Sequence, residues 1–153
     1  MRERVRIFFI IAVIIGGVCS CSAGGNYLQD GYYSAESTDF DHYGWKEYIT
    51  ICVSGGRIIL VEYDAYNASG FLKSWDMDYM RVMNAANGIY PSAYARNYGG
   101  KLLANQNAND ISHLSGATYS HRTFMQLAEA VLAQAHQGDN ETSRITFKAV
   151  DAD

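Results

Sequence analysis

The amino-acid sequence predicts an α+β fold in which an antiparallel sheet packs against helices. Three observations support this prediction. Runs rich in aromatic and β-branched residues come first, a Gly-Gly turn joins two of these runs, and helical periodicity follows. Strands that precede helices, rather than alternating with them, are typical of α+β proteins. The 153 residues are enough for one such domain and its core.

The strands are predicted mainly in the first half of the chain. Residues 30–35 form a turn that leads into a short strand, and residues 45–53 form a longer one. The Ser-Gly-Gly turn at residues 54–56 leads into a further strand at residues 57–63, which makes this pair an antiparallel hairpin. Residues 143–149 alternate in polarity and predict an additional edge strand.

The first predicted helix begins after residue 74 and stops at Gly88. Either Ser74 or Asp76 is suited to cap its N-terminus, and glycine is common just past a helix C-terminus. Apolar residues recur at helical spacing in this segment: Tyr79, Val82, Met83 and Ala86. The period of the sequence therefore changes here from that of a strand to that of a helix.

Two more helices are predicted in the second half of the chain. One begins at Pro91 and runs to about residue 108, with an expected break at Gly99-Gly100. The other ends before Gly138 and has a single apolar stripe: Phe124, Leu127, Ala128, Val131, Leu132 and Ala135. This stripe is the clearest helical pattern in the chain.

The amino terminus has the features of an export signal. Three arginines at positions 2, 4 and 6 precede an almost unbroken apolar run over residues 7–18. A run of about a dozen residues is shorter than the roughly 20 that a membrane span needs. We therefore interpret residues 1–20 as a signal peptide.

The end of this segment, Val-Cys-Ser-Cys at residues 18–21, resembles a bacterial lipobox. Cys21 fits the modified position because a small serine precedes it, whereas a bulky valine precedes Cys19. We expect a lipid on Cys21 that anchors the chain in the cell membrane, facing away from the cytoplasm, and a flexible tether over residues 21–28. A plain signal peptide and an uncleaved anchor are the alternatives.

Cysteine use and charge exclude several classes of protein. If Cys19 leaves with the signal and Cys21 carries lipid, Cys52 has no partner for an internal disulfide. Its apolar strand context predicts a small core residue rather than a nucleophile.

The net charge of −4 becomes −6 without residues 1–20, which hold three arginines and one glutamate. This charge argues against binding to nucleic acid.

The segment Ser-Gly-Ala-Thr at residues 115–118 directly precedes the third helix. A small, glycine-containing loop in this position points backbone N–H groups outward, and the helix dipole there favours an anion such as phosphate. Hydroxyl groups and small side chains surround this position: Ser115, Gly116, Ala117, Thr118 and Ser120. Simple helix capping by the same residues is the alternative interpretation.

The hexapeptide Ser115-Gly116-Ala117-Thr118-Tyr119-Ser120 resembles the signature of FMN-binding domains, which occur in exported flavoproteins and in the flavin subunits of sodium-translocating quinone reductases and Rnf-type complexes. Over about residues 29–135 the chain is similar to small membrane-anchored lipoproteins of the treponemal major membrane immunogen type. Further segments follow in the family's order: Asp30-Gly31-Tyr32, Gly44-Trp45-Lys46, Gly56-Arg57-Ile58, Val61-Glu62-Tyr63-Asp64 and Tyr79-Met80. The resemblance implies an FMN-binding domain at residues 29–150, with the hexapeptide as its cofactor-binding segment.

The resemblance also implies how the cofactor is held and used. In this family a flavin transferase can link FMN through its phosphate to the threonine of the motif, which aligns with Thr118. The family's pattern has aspartate six residues earlier, where this chain has Ser112, and Asp110 lies two residues further upstream. Electron transfer with membrane partners is the implied role, with the flavin supplying the redox chemistry.

Other features of the sequence bear on functions other than flavin binding. The replaced aspartate favours a lipoprotein that keeps the fold without flavin and acts as a surface interaction module or binds another ligand. The sequence has no arrangement typical of a hydrolase. Asp39, Asp41 and His42 suggest a metal site but are better explained as an acidic, solvated loop. His113 and His121 flank the motif, where they are candidates for phosphate or flavin contact or ordinary surface residues.

Overall fold

The computed structural model of the chain describes residues 27–147. Strands precede helices in this range, and the α+β class is confirmed. The strands are β1 (Gly31–Ser37), β2 (Lys46–Ser54), β3 (Arg57–Tyr66) and β4 (Ser143–Ile145). A short 3-10 turn (Lys73–Trp75) precedes the helices α1 (Met77–Asn87), α2 (Pro91–Asn105) and α3 (Thr118–Gln137).

The four strands form one sheet in the order β3-β2-β1-β4. The predicted hairpin is confirmed, since β2 pairs antiparallel with β3, and β1 is also antiparallel to β2. The predicted edge strand β4 is present but runs parallel to β1, so the sheet is mixed. A parallel pair requires a long connection between its strands, and residues 38–142 provide it.

The core lies between one face of the sheet and the helices α2 and α3. Helix α3 packs against β1 and β2, and α2 packs against β3. Phe124 is fully buried in α3, with its ring centroid 4.9 Å from that of Tyr63 and 5.3 Å from that of Tyr98. The predicted apolar stripe of α3 is confirmed as the main helical contribution to the core, except that Leu132 is only half-buried.

Helix α2 continues through Gly99-Gly100, so the expected break is wrong. Gly99 is buried against β3, where an added Cβ would lie 3.4 Å from Cγ1 of Val61. The missing side chain lets the helix approach the strand closely, and that packing offsets the low helix propensity of glycine. The helix ends three residues earlier than expected, at Asn105.

Helix α1 has the predicted caps and lies at the surface of the domain. The side chain of Asp76 accepts a hydrogen bond from the Tyr79 N–H, and Gly88 ends the helix in the left-handed conformation. Within the described part of the chain, none of the residues of α1 is buried, and Val82 is 66% exposed. Of its apolar residues, Met83 is partly buried against the core cluster, so α1 contributes to the core only at its margin.

Cys52 is buried, as predicted, but it does not belong to the main core cluster. In the register of the sheet it lies directly opposite Tyr32 on one side and Leu60 on the other. Its neighbours Ile51 and Val53 supply the core-facing positions of this strand. Cys52 is thus covered by cross-strand partners on the other face of the sheet.

Candidate functional site

The motif loop, residues 115–117, packs against the end of α1 immediately before α3 begins. Gly116 has φ +78°, and an added Cβ would lie 2.6 Å from the backbone oxygen of Asn87. Both the left-handed backbone and the close approach require glycine at this position. The loop is therefore held at the junction of α1 and α3.

The first turn of α3 leaves backbone donors without partners. The Ala117 N–H donates to the Leu114 carbonyl at 3.0 Å. Within residues 27–147, no acceptor bonds the N–H groups of Thr118, Tyr119 or Ser120, and this first turn has no acidic residue. Unbonded N–H groups at the positive end of a 20-residue helix form a favourable environment for an anion.

The side chains of the six predicted cofactor-binding residues separate into two groups. Ala117 and Ser120 are 3% and 6% exposed and hold the start of α3 against the domain. Ser115 and Thr118 are exposed, and Tyr119 is 46% exposed. Thr118 is thus accessible to solvent.

Two adjoining clefts lie beside this turn, and Asp41, His42 and Tyr119 line both. The first, here called the motif cleft, has a volume of ≈ 310 Å³ and also contacts the following residues: Lys73, Tyr79, Asn87, Gly116, Ala117 and Ser120. The second, the aromatic cleft, has a volume of ≈ 390 Å³ and also contacts the following residues: Phe40, Trp45, Glu47, Thr123 and Phe147. Four of the six motif residues line the motif cleft, namely Gly116, Ala117, Tyr119 and Ser120, and Tyr119 also lines the aromatic cleft.

Lys73 is a buried cation in the wall of the motif cleft. It is 5% exposed, and its Nζ lies 5.1 Å from the ring centroid of Tyr79 and 5.8 Å from that of Trp45. Burial lowers the pKa of Lys73, while the nearby carboxylates of Glu47, Asp41 and Asp64 oppose that shift. The aromatic faces stabilise the ammonium by cation–π interactions.

Glu47 is a buried carboxyl group between β2 and α3. Its Oε2 accepts a hydrogen bond of 2.8 Å from the Tyr63 hydroxyl, and its Oε1 has no partner among the described residues. Burial raises the pKa of Glu47 to about 7, against the opposing effects of Lys73 and the Tyr63 hydrogen bond. The same Tyr63 hydroxyl lies 3.0 Å from the carbonyl oxygen of Ser120.

Glu47, Tyr63 and the Ser120 carbonyl form a chain of hydrogen bonds, and the protonated form of Glu47 supplies the proton that this chain needs. The Tyr63 hydroxyl has one proton but lies within bonding distance of two acceptors, Glu47 and Ser120. When Glu47 is protonated, it donates to the Tyr63 oxygen, and Tyr63 donates to the Ser120 carbonyl. The first turn of α3 is in this way connected to a titratable group in the sheet.

The loop with Asp39, Asp41 and His42 is organised by its own backbone. Asp41 Oδ1 accepts hydrogen bonds of 2.9 Å from the N–H groups of Tyr43 and Trp45. Within residues 27–147, no group of three or more His, Cys, Asp or Glu side chains is placed to hold a metal ion. The loop instead forms the rim shared by the two clefts.

The two histidines near the motif have different positions. His121 Nε2 bonds the backbone oxygen of Ile111, and its ring lies 5.4 Å from that of Tyr98. His121 therefore fixes the segment before the motif loop, while His113 is exposed and lies 6.1 Å away, centroid to centroid. Neither histidine lines the two clefts.

The position at which the FMN-binding-domain pattern has aspartate is an exposed serine in this chain. Ser112 accepts a hydrogen bond of 3.2 Å from the Lys101 ammonium group. Asp110 has a left-handed backbone with φ +61° and is also exposed. Neither Ser112 nor Asp110 lines the motif cleft or the aromatic cleft.

Sequence reasoning identified the motif loop but missed the buried charges. Glu47 and Lys73 contribute to the site from β2 and from the turn before α1. A signal for Glu47 exists in the sequence, since it shares the core-facing alternation of Ile49 and Ile51. No local pattern marks Lys73.

The predicted signal peptide, residues 1–20, and the predicted lipid attachment at Cys21 lie outside the described residues. None of the helices in the described range combines the length and apolar character needed to cross a bilayer.

Comparisons with known proteins give three matches. The chain is 36% identical over 141 residues to the 15 kDa lipoprotein of Treponema pallidum, covering 92% of this chain and 96% of that protein. The crystal structure of the CPE2226 protein from Clostridium perfringens superimposes with a TM-score of 0.75 at 34% identity, covering 79% of this chain and 99% of that one. A solution structure from Clostridium thermocellum covers 71% of this chain and 92% of that one, at 29% identity and a TM-score of 0.49. No family model matches the chain.

Proposed function

The chain belongs to the same family as the 15 kDa lipoprotein of Treponema pallidum, and on that premise we propose that it is a membrane-anchored flavoprotein that binds FMN. The anchor would be a lipid on Cys21, with the domain facing away from the cytoplasm. The observation that carries the flavin proposal is the first turn of α3, where three N–H groups have no acceptor within residues 27–147, no acidic residue is present, and Tyr119 and Ser120 line the motif cleft.

The residues around the two clefts fit FMN in chemistry. The phosphate would lie at the N–H groups of Thr118, Tyr119 and Ser120, where the helix dipole stabilises negative charge. The aromatic cleft, with Phe40 and Tyr119 each 46% exposed, offers flat apolar surface for the ring system. When bound, FMN would supply electron-transfer chemistry, and the chain would orient it and exclude water.

Covalent attachment would use the exposed hydroxyl of Thr118. A flavin transferase would join the phosphate of FMN to this oxygen, and the first-turn N–H groups would hold the phosphodiester that results. Exposure of Thr118 supports this proposal because a second enzyme must reach the hydroxyl. Ser112 in place of the family's aspartate predicts slower attachment.

The test of FMN binding uses the purified full chain incubated with FMN and freed of unbound flavin. The expected result is flavin absorbance that co-elutes with the protein in a ratio near one to one. A colourless protein after reconstitution would contradict FMN binding and would support a flavin-free interaction module, which the replaced aspartate favours.

The test of attachment uses coexpression with a flavin transferase and intact-mass measurement. We expect an FMN-sized adduct that disappears in Thr118→Ala and persists in Thr142→Ala, a control that removes an exposed hydroxyl elsewhere. Ser112→Asp restores the family's pattern and is expected to raise the modified fraction. An adduct that survives Thr118→Ala would exclude this attachment point.

A further inference from the structure

Lys73 is the one buried lysine in the described residues, and its ammonium group makes no hydrogen bond or ion pair within residues 27–147. An ammonium group has three donors, and burying a charge without hydrogen-bond partners is costly. The neighbouring rings of Tyr79 and Trp45 offset part of that cost but accept no conventional hydrogen bond. The three donors of Lys73 therefore remain available.

The carboxylates near Lys73 are bonded to other groups. Asp64 accepts from the N–H and the hydroxyl of Ser74 and from the Ala65 N–H, and Asp41 Oδ1 accepts from two backbone N–H groups. Glu47 is bonded to Tyr63. These groups lie within Coulombic range and favour the charged form of Lys73, but none lies within 4 Å of its Nζ.

Lys73 and the start of α3 border the same cleft. Lys73, Gly116, Ala117 and Ser120 all line the motif cleft. We propose that Lys73 and the first-turn N–H groups of α3 together form a binding site for a phosphate group, and that Lys73 makes the chain select a phosphorylated flavin over the same flavin without phosphate. The flavin part of this inference rests on the proposed function, whereas the phosphate site itself does not.

The cleft contains one side chain of each fixed charge, the cation Lys73 and the anion Asp41. A phosphate at the first turn of α3 would accept hydrogen bonds from the Lys73 ammonium group. Asp41 does not compete for these donors, because its Oδ1 already accepts hydrogen bonds from its own loop. Charge-assisted hydrogen bonds of this kind are among the stronger ones in proteins. Their loss is expected to weaken phosphate binding roughly 10- to 100-fold.

The experiment titrates the full chain with FMN and with riboflavin, which has the same ring system but no phosphate. We expect the wild-type chain to bind FMN more tightly than riboflavin. Lys73→Met should reduce FMN affinity roughly 10- to 100-fold and leave riboflavin affinity unchanged, so that the preference disappears. Lys101→Met is the matched control, since it removes a lysine that does not line the cleft, and it should keep the preference.

Several outcomes would overturn the inference. Equal wild-type affinity for the two flavins, an unchanged preference in Lys73→Met, or an equal loss of both flavins in that variant would each contradict it. If Lys73→Met does not fold, Lys73→Gln serves as the neutral variant and the same criteria apply.

A second measurement separates this inference from the proposed function. Inorganic phosphate should raise the melting temperature of the wild-type chain and have a smaller effect on Lys73→Met. If the wild type binds neither flavin, FMN binding is excluded, and the phosphate measurement alone decides on Lys73. If phosphate does not raise the melting temperature of the wild type, the phosphate site is excluded. If it raises the melting temperature of both proteins equally, the role of Lys73 in the site is excluded.

Discussion

Helices α1 and α3 have similar patterns in the sequence but different positions in the molecule. Both have apolar residues at helical spacing and both end at a glycine. Helix α3 buries eight residues against the sheet, whereas α1 buries none in the described structure. The apolar residues Tyr79 and Met83 of α1 instead line the motif cleft. An amphipathic stripe can therefore form the wall of a binding cleft as well as part of a core.

The largest expected effect is on the core side of this comparison. Phe124→Ala removes a fully buried ring that contacts Tyr63 and Tyr98, and we expect it to lower the free energy of unfolding by about 3–5 kcal/mol. Chemical denaturation measures this value. The matched change in α1, Val82→Ala, removes an exposed side chain and should change stability by less than about 0.5 kcal/mol. If the two substitutions lower the free energy of unfolding by similar amounts, the distinction between α3 as a core helix and α1 as a surface helix is wrong.

The next effect concerns the titratable group beneath α3. The pKa of Glu47 is raised from its ordinary value of 4.5 to about 7. Between these two pH values the folded chain keeps a proton on Glu47 that the unfolded chain has released. The contribution of Glu47 to stability is therefore full below pH 4.5 and is lost as the pH rises to about 7.

Glu47→Gln removes this titration while keeping the shape of the side chain. The stability of Glu47→Gln relative to wild type should rise by on the order of 3 kcal/mol between about pH 4 and about pH 8. Denaturation at both pH values measures it. Glu129→Gln, an exposed change on α3, should alter stability by less than about 0.5 kcal/mol at either pH. A pH-independent difference for Glu47→Gln would contradict the assignment.

A smaller effect is expected at the junction between the two helices. Gly116→Ala places a Cβ 2.6 Å from the Asn87 oxygen at φ +78°, and we expect it to cost about 1–3 kcal/mol. FMN binding should also weaken because the motif loop must move away from α1. Gly100→Ala has open space and a helical backbone, and it should stabilise the chain by about 0.5–1 kcal/mol. The same sign in both variants would show that the Asn87 contact is unimportant.

The smallest effect is expected on the cleft side. Asp76→Ala removes the side-chain cap of α1, which should cost about 1 kcal/mol, whereas Asp76→Asn keeps an accepting oxygen and should cost less. Thermal melting compares the two variants. A loss of several kcal/mol in Asp76→Ala would mean that α1 is coupled to the core more tightly than its exposure indicates.

The parts of the fold that depend on local chemistry were predictable from the sequence. The hairpin around Gly55-Gly56, the caps Asp76 and Gly88, and the apolar stripe of α3 are all confirmed, because turns, caps and periodicity are properties of short segments. Continuity through Gly99 was not predictable, since it depends on the close approach of α2 to Val61 in a distant strand.

As with the fold, only the part of the candidate site that is contiguous in the sequence was predictable. The motif at residues 115–120 stands out because it is contiguous in the sequence and opens a helix. Lys73 and Glu47 are separated from it by more than 40 residues. Their burial, the Glu47 Oε1 that has no partner among the described residues, and the position of Lys73 beside the Trp45 ring arise only when the sheet and helices assemble.

The sequence by itself determined the order and approximate limits of the secondary-structure elements, the strand position of Cys52 and the position of the motif. Only the tertiary structure decided that β4 joins the sheet in parallel, that α1 lines a cleft and contributes to the core only at its margin, and that two charged side chains are buried beside the motif. The reason is that backbone geometry follows from neighbours along the chain, whereas burial and electrostatics depend on groups that the fold brings together from distant segments.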